Sequence, residues 1–110
     1  MNLDHFQKWV NDFYGERGWT KYGPFIRVGF LMEEVGELAR AVRTTEIGRD
    51  RPDEGDRSVE EIRAELIEEM GDVLGNLVLL AEQYGVGPEE IMKAHQEKLV
   101  KRFGEMAEKK

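Results

Sequence analysis

Apolar residues recur every three or four positions along most of this chain, and no segment shows the strict alternation of a half-buried strand. Leu3, Phe6, Val10 and Phe13 make one stripe, predicting a first helix from Leu3 to Tyr14. A second helix starts near Pro24, whose missing N–H costs nothing in a first turn. Its stripe is Val28, Leu31, Val35, Leu38 and Val42. Ser58 reads as an N-cap with Glu61 completing a capping box. A third helix follows to about Tyr84, carrying Ile62, Leu66, Met70, Val73, Leu77 and Tyr84 on its face. Gly85 and Gly87 end it, and Pro88 opens a fourth helix with Met92, Leu99, Phe103 and Met106. The stripes predict the buried faces, and the short last connection favours an all-α, antiparallel four-helix bundle. Two segments stand outside the helices. Gly15 to Gly23 (GERGWTKYG) reads as a structured loop, and Gly48 to Arg57 as a charged loop without an apolar anchor.

A length of 110 residues fits a single domain, 1–110, with a modest core that a second copy sharing a helical face would enlarge. The chain has no cysteine, which excludes disulfides, thiolate metal sites and cysteine nucleophiles. A net charge of -7 disfavours a nucleic-acid polymer as partner. A small phosphorylated substrate stays compatible with that charge, because a bound divalent cation inverts the local field. No apolar run approaches the roughly 20 residues of a membrane span, and MNLDHFQKW lacks the features of a signal peptide. A cytoplasmic protein with no membrane contact is the expectation. Acids crowd between Glu46 and Asp72 while the stretch from Lys93 is basic, which predicts an acidic middle facing a basic tail.

The most informative feature is an internal echo. Leu31-Met32-Glu33-Glu34-Val35-Gly36-Glu37-Leu38 returns as Leu66-Ile67-Glu68-Glu69-Met70-Gly71-Asp72-Val73, at an offset of 35. At about 100° per residue, Glu34 lies about 80° from the centre of its stripe and Glu37 about 60° further round. Glu69 and Asp72 repeat those offsets. Each helix therefore carries a carboxylate pair at i and i+3 on the edge of its apolar face. Like charges at that spacing repel unless a cation lies between them. Four carboxylates from two facing helices make a hard oxygen site suited to magnesium, or to manganese. The alternative, a solvated acidic face, is the ordinary reading of one such motif, and the repetition weighs against it. Gly36 and Gly71 each cost a helix about 1 kcal/mol relative to alanine, which predicts close backbone approach there.

Other residues carry two readings each. Asn76, one turn after Asp72 in an apolar stretch, reads a base or sugar or caps a buried backbone group. Trp19 and Tyr22 stack on a base or pack in the core. His5 and His95 read as structural, and neither belongs to an ExxH of the di-iron kind.

Glu34-x-x-Glu37 followed by Glu69-x-x-Asp72 on the next long helix, and then a basic segment, resembles the MazG-like family of all-α nucleotide pyrophosphohydrolases. The resemblance runs from the loop around Trp19 to the segment Lys98–Phe103. It implies magnesium ligation by Glu34, Glu37, Glu69 and Asp72, and contact between the triphosphate and Lys98 and Arg102. It also implies attack of water at the α–β phosphate linkage of a nucleoside triphosphate, and assembly as a homodimer or homotetramer. Removal of unwanted nucleotides is the implied role. Glu33 is a candidate acceptor of the water's proton, Glu68 a weaker one. The sequence departs from the family in two places. The 31 residues between Glu37 and Glu69 exceed its usual gap, and the extra length falls in the charged loop. The stretch after Trp19 lacks the His and Asn that relatives resembling dCTP pyrophosphatases place near the base. Two rivals remain: hydrolysis of another phosphorylated metabolite, and a non-catalytic helical module binding a partner.

Overall fold

Local chemistry sets the helix ends. The Asn2 side chain accepts from His5 N at 2.9 Å and starts the first helix. Ser58 Oγ accepts from Glu61 N at 3.1 Å, the expected cap of the third. Gly48 at φ 90° and Gly85 at φ 68° adopt left-handed backbone that side chains disfavour, and they stop the second and third helices. Pro88 opens the fourth, where Gly87 N donates to Glu90 Oε2 at 3.1 Å. The resulting computed structural model describes residues 1–48 and 57–105. Its helices are α1 (Leu3–Glu16), α2 (Pro24–Ile47), α3 (Val59–Gln83) and α4 (Pro88–Phe103). The described residues contain no strand. The bulk of the predicted charged loop and Met106 lie outside the described residues.

The long helices α2 and α3 pack along each other, α1 lies on α3, and α4 packs chiefly against α1. The core is small: Val10 from α1 against Val78 and Leu79 of α3, flanked by Phe6 and Tyr14. Two side-chain amides bind the assembly across long sequence distances. Buried Gln7 donates from Nε2 to the carbonyls of Val78 and Val86, each at 3.0 Å. Gln83 Nε2 donates to Tyr22 O at 2.7 Å, tying the loop before α2 to the end of α3.

Among the described residues the predicted apolar stripes are covered only in part: that of α1 packs into the core through Phe6 and Val10, and Leu31, Leu38, Ile62, Leu66 and Val73 are half-buried. Val28, Val35 and Val42 on α2, Met70 and Leu77 on α3, and Met92, Leu99 and Phe103 on α4 are all exposed. The positions of α2 that bury are Arg27 and Ala41, and those of α3 run from Gly75 to Ala81. The reason is the shortage of neighbours. Helices of 24 and 25 residues project past the short α1, so only the strip each shows to another helix is covered. The expected close approach at Gly36 and Gly71 is also absent among the described residues, where a Cβ at either position would meet nothing within 4 Å.

Candidate active site

Pairing α2 with α3 brings the two acidic motifs together. Carboxylate oxygens of Glu34, Glu69 and Asp72 all lie within 4.8 Å of one another. Glu69 and Asp72 share a face of α3 because they are three residues apart, and Glu34 reaches them from α2. Glu69 Oε2 is buried and has no hydrogen-bond partner. A buried, unpaired carboxylate oxygen among like charges is costly, and a hard cation would supply the missing partner. The residues present thus fit a magnesium- or manganese-sized ion. Glu37 stands outside this group of three, although its charge reaches both Glu34 and Glu69. Glu33 and Glu68 are exposed beside it.

Burial, then the charges of Asp72, Glu37 and Glu33, hold the Glu34 carboxyl above the usual carboxylate range. Burial and then Asp72, Glu34, Glu37 and Glu65 do the same to Glu69. A carboxyl raised in this way binds its proton more tightly in the folded chain than in the unfolded one. Its contribution to stability is complete below the ordinary carboxylate range and is lost as pH rises through the raised value. In the absence of divalent ions, the thermal midpoint of the wild type is therefore expected to fall relative to Glu69→Gln as pH climbs from that range towards neutrality. Millimolar magnesium should reverse the loss by replacing the proton. A wild-type-minus-variant difference that ignores both pH and magnesium would contradict this origin of the shift.

Next to Glu34 opens a cavity of about 250 Å³. Tyr14, Trp19, Tyr22 and Phe30 form its walls, and Arg27 and Asn76 also line it. Trp19 meets Tyr14 edge to face, with centroids 5.2 Å apart. Arg27 Nη2 donates to Trp19 O at 2.6 Å and its Nη1 to Asn76 Oδ1 at 3.1 Å. Asn76 Nδ2 in turn donates to Asp72 O at 2.9 Å. Asn76 thus occupies a backbone carbonyl, one of its two expected roles, and it also lines the cavity. Burial first, and then the charge of Asp72, raises the Tyr14 phenol above its ordinary value, against the opposing charge of Arg27.

Arg27 and Tyr14 were not among the sequence candidates. In the structure Arg27 lies on the less exposed stripe of α2 with Phe30, Leu31, Glu34, Leu38 and Ala41, a face that the sequence pattern did not mark as buried. Lys98 and Arg102 are exposed on α4 and line cavities of its own surface, not the one beside Glu34.

The structure is thus an all-helical domain in which acid oxygens from two helices converge beside an aromatic cavity. The chain belongs to the MazG nucleotide pyrophosphohydrolase domain family, whose model matches residues 27–106. It is 68% identical over 103 residues to the uncharacterized protein YvdC of Bacillus subtilis (strain 168), covering 94% of this chain and 97% of that one. It is also similar to the crystal structure of the candidate pyrophosphatase YPJD from Bacillus subtilis, with a TM-score of 0.63 and 28% identity over 96% of this chain and 97% of that one. These likenesses support pyrophosphatase activity. No helix of the described residues is long and apolar enough to cross a membrane.

Proposed function

We propose that the chain hydrolyses a ribo- or deoxyribonucleoside triphosphate at the α–β phosphate linkage, releasing the monophosphate and pyrophosphate, to clear unwanted nucleotides in the cytoplasm. The observation that carries this reading is the convergence of Glu34, Glu69 and Asp72, with the Glu69 oxygen left unpaired. These three residues would hold magnesium, or manganese, with Glu37 close enough to add its charge. When bound, the ion neutralises phosphate charge and makes water a better nucleophile at neutral pH.

The chain's own residues do the rest. Glu33, exposed next to Glu34, is assigned the proton of the attacking water. Trp19 and Asn76 line the cavity that receives the nucleoside end. Lys98 and Arg102 are assigned to the triphosphate from the α4 of a second copy. The wide apolar surface left on α2 and α3 supports a homodimer or homotetramer, since exposed patches of this kind usually mark association.

The test is pyrophosphate release from a panel of nucleoside triphosphates with and without magnesium. Metal-dependent release is expected, and Glu33→Gln should lower kcat by ~10²-fold or more, the usual worth of a positioned base, while magnesium still raises its thermal midpoint. Folded protein that releases pyrophosphate from no nucleotide with either metal would overturn the reaction. A Glu33→Gln variant with unchanged kcat would remove that residue from it.

A further inference from the structure

The cavity beside Glu34, at about 250 Å³, is smaller than the roughly 300–1,000 Å³ that holds a drug-sized ligand. It has room for one flat heterocycle, leaving the rest of a nucleotide to lie over the carboxylates. Its aromatic walls accept any π-face and so do not choose between bases. Arg27 is the exception. It is 3% exposed and permanently charged, and an isolated buried charge is expensive. Its two hydrogen bonds go to neutral acceptors, Trp19 O and Asn76 Oδ1, and its Nε has no partner. The ring faces of Phe30 and Tyr14, with centroids 5.2 and 5.9 Å away, compensate it only weakly. The guanidinium offers N–H donors alone. Trp19 O and Asn76 Oδ1 each already take one bond from Arg27 itself, and the Glu34 carboxylate that also lines the cavity is assigned to the metal ion.

We infer that Arg27 sets the base preference of this site, which takes a nucleobase bearing a carbonyl where adenine and cytosine bear an amino group: an oxopurine or an oxopyrimidine. The carbonyl accepts from the guanidinium that lines the cavity. An amino group placed against the guanidinium sets donor against donor, and a buried site of that kind discriminates strongly. The inference rests on the nucleotide reading above. A purely structural Arg27, fastening the Trp19 loop to α2 and α3, would not distinguish bases that differ only at this edge.

Calorimetric binding of matched monophosphates to the full chain with magnesium provides the test: inosine against adenosine monophosphate, and uridine against cytidine monophosphate. The carbonyl member of each pair should bind at least about tenfold tighter, one well-placed hydrogen bond being worth that much. In Arg27→Gln, which offers both a donor and an acceptor, the ratio should fall to near one. The wild-type ratios stand as a test even if that variant fails to fold. Equal affinities, preference for the amino members, or no binding of either pair would overturn the inference. A retained carbonyl preference without pyrophosphate release from any triphosphate would instead overturn the pyrophosphohydrolase reading and leave the base preference in place.

Discussion

Asp72→Asn and Glu69→Gln are each expected to cut metal-dependent pyrophosphate release by at least ~10²-fold, because a first ligand should matter no less than the outer partners whose loss costs 10–100-fold. The two residues do different things for the same ion. Asp72 raises both Glu34 and Glu69, so it is the charge most tightly coupled to the group. Glu69 contributes the buried oxygen that has no hydrogen-bond partner among the described residues. Neither belongs to the core of Val10, Val78 and Leu79, so far-ultraviolet circular dichroism should not change. Glu69→Gln should even be more stable than the wild type at neutral pH without metal, since one of several crowded charges is gone. Full turnover in either variant, measured with saturating magnesium, would remove it from the metal centre. Glu37→Gln is expected to be milder, because its carboxylate stands outside the close group.

Mixed assemblies should recover activity that neither parent has. Arg102→Ala and Asp72→Asn each damage one half of a site, if α4 serves a second copy's carboxylates. Unfolded and refolded together, half of randomly assembled dimers are heterodimers with one intact site, so roughly a quarter of wild-type turnover should return. Activity no greater than the sum of the two variants, in a population shown by sedimentation to be mixed, would place Arg102 outside the site. The expectation follows from where α4 lies. Its basic residues do not line the carboxylate cavity of their own chain, and its apolar residues Leu99 and Phe103 are exposed.

What could be read from the residues divides along a physical line. Asn2, Ser58, Pro88 and the glycines at 48 and 85 act through bonds and dihedrals within a few residues, so local pattern suffices for helix ends. Glu34, Glu69 and Asp72 were legible for another reason: the same expensive arrangement occurs twice, and repetition survives without knowing the packing. The valines of α2 misled because helical period identifies an apolar face without saying what covers it. Val28, Val35 and Val42 share a stripe, yet they stay exposed among the described residues. Arg27 was hidden by its type. Between Ile26 and Val28 an arginine reads as solvated, and only the arrival of Asn76 from α3 and of the Trp19 carbonyl turns that position inward. Lys98 and Arg102 could not be placed at all from one chain's contacts, since their helix packs chiefly against α1.

The family model matches from residue 27, whereas the folding unit, like the match to the relatives, begins before it. Val78 and Leu79 are covered by Val10 and Phe6, Gln7 occupies two carbonyls at the end of α3, and Tyr14 and Trp19 wall the cavity. A fragment cut where the family model begins would retain Glu34, Glu69 and Asp72 and lose Val10, Phe6, the Gln7 clamp and two walls of the cavity. The smallest cooperative unit is therefore longer than the region the model matches.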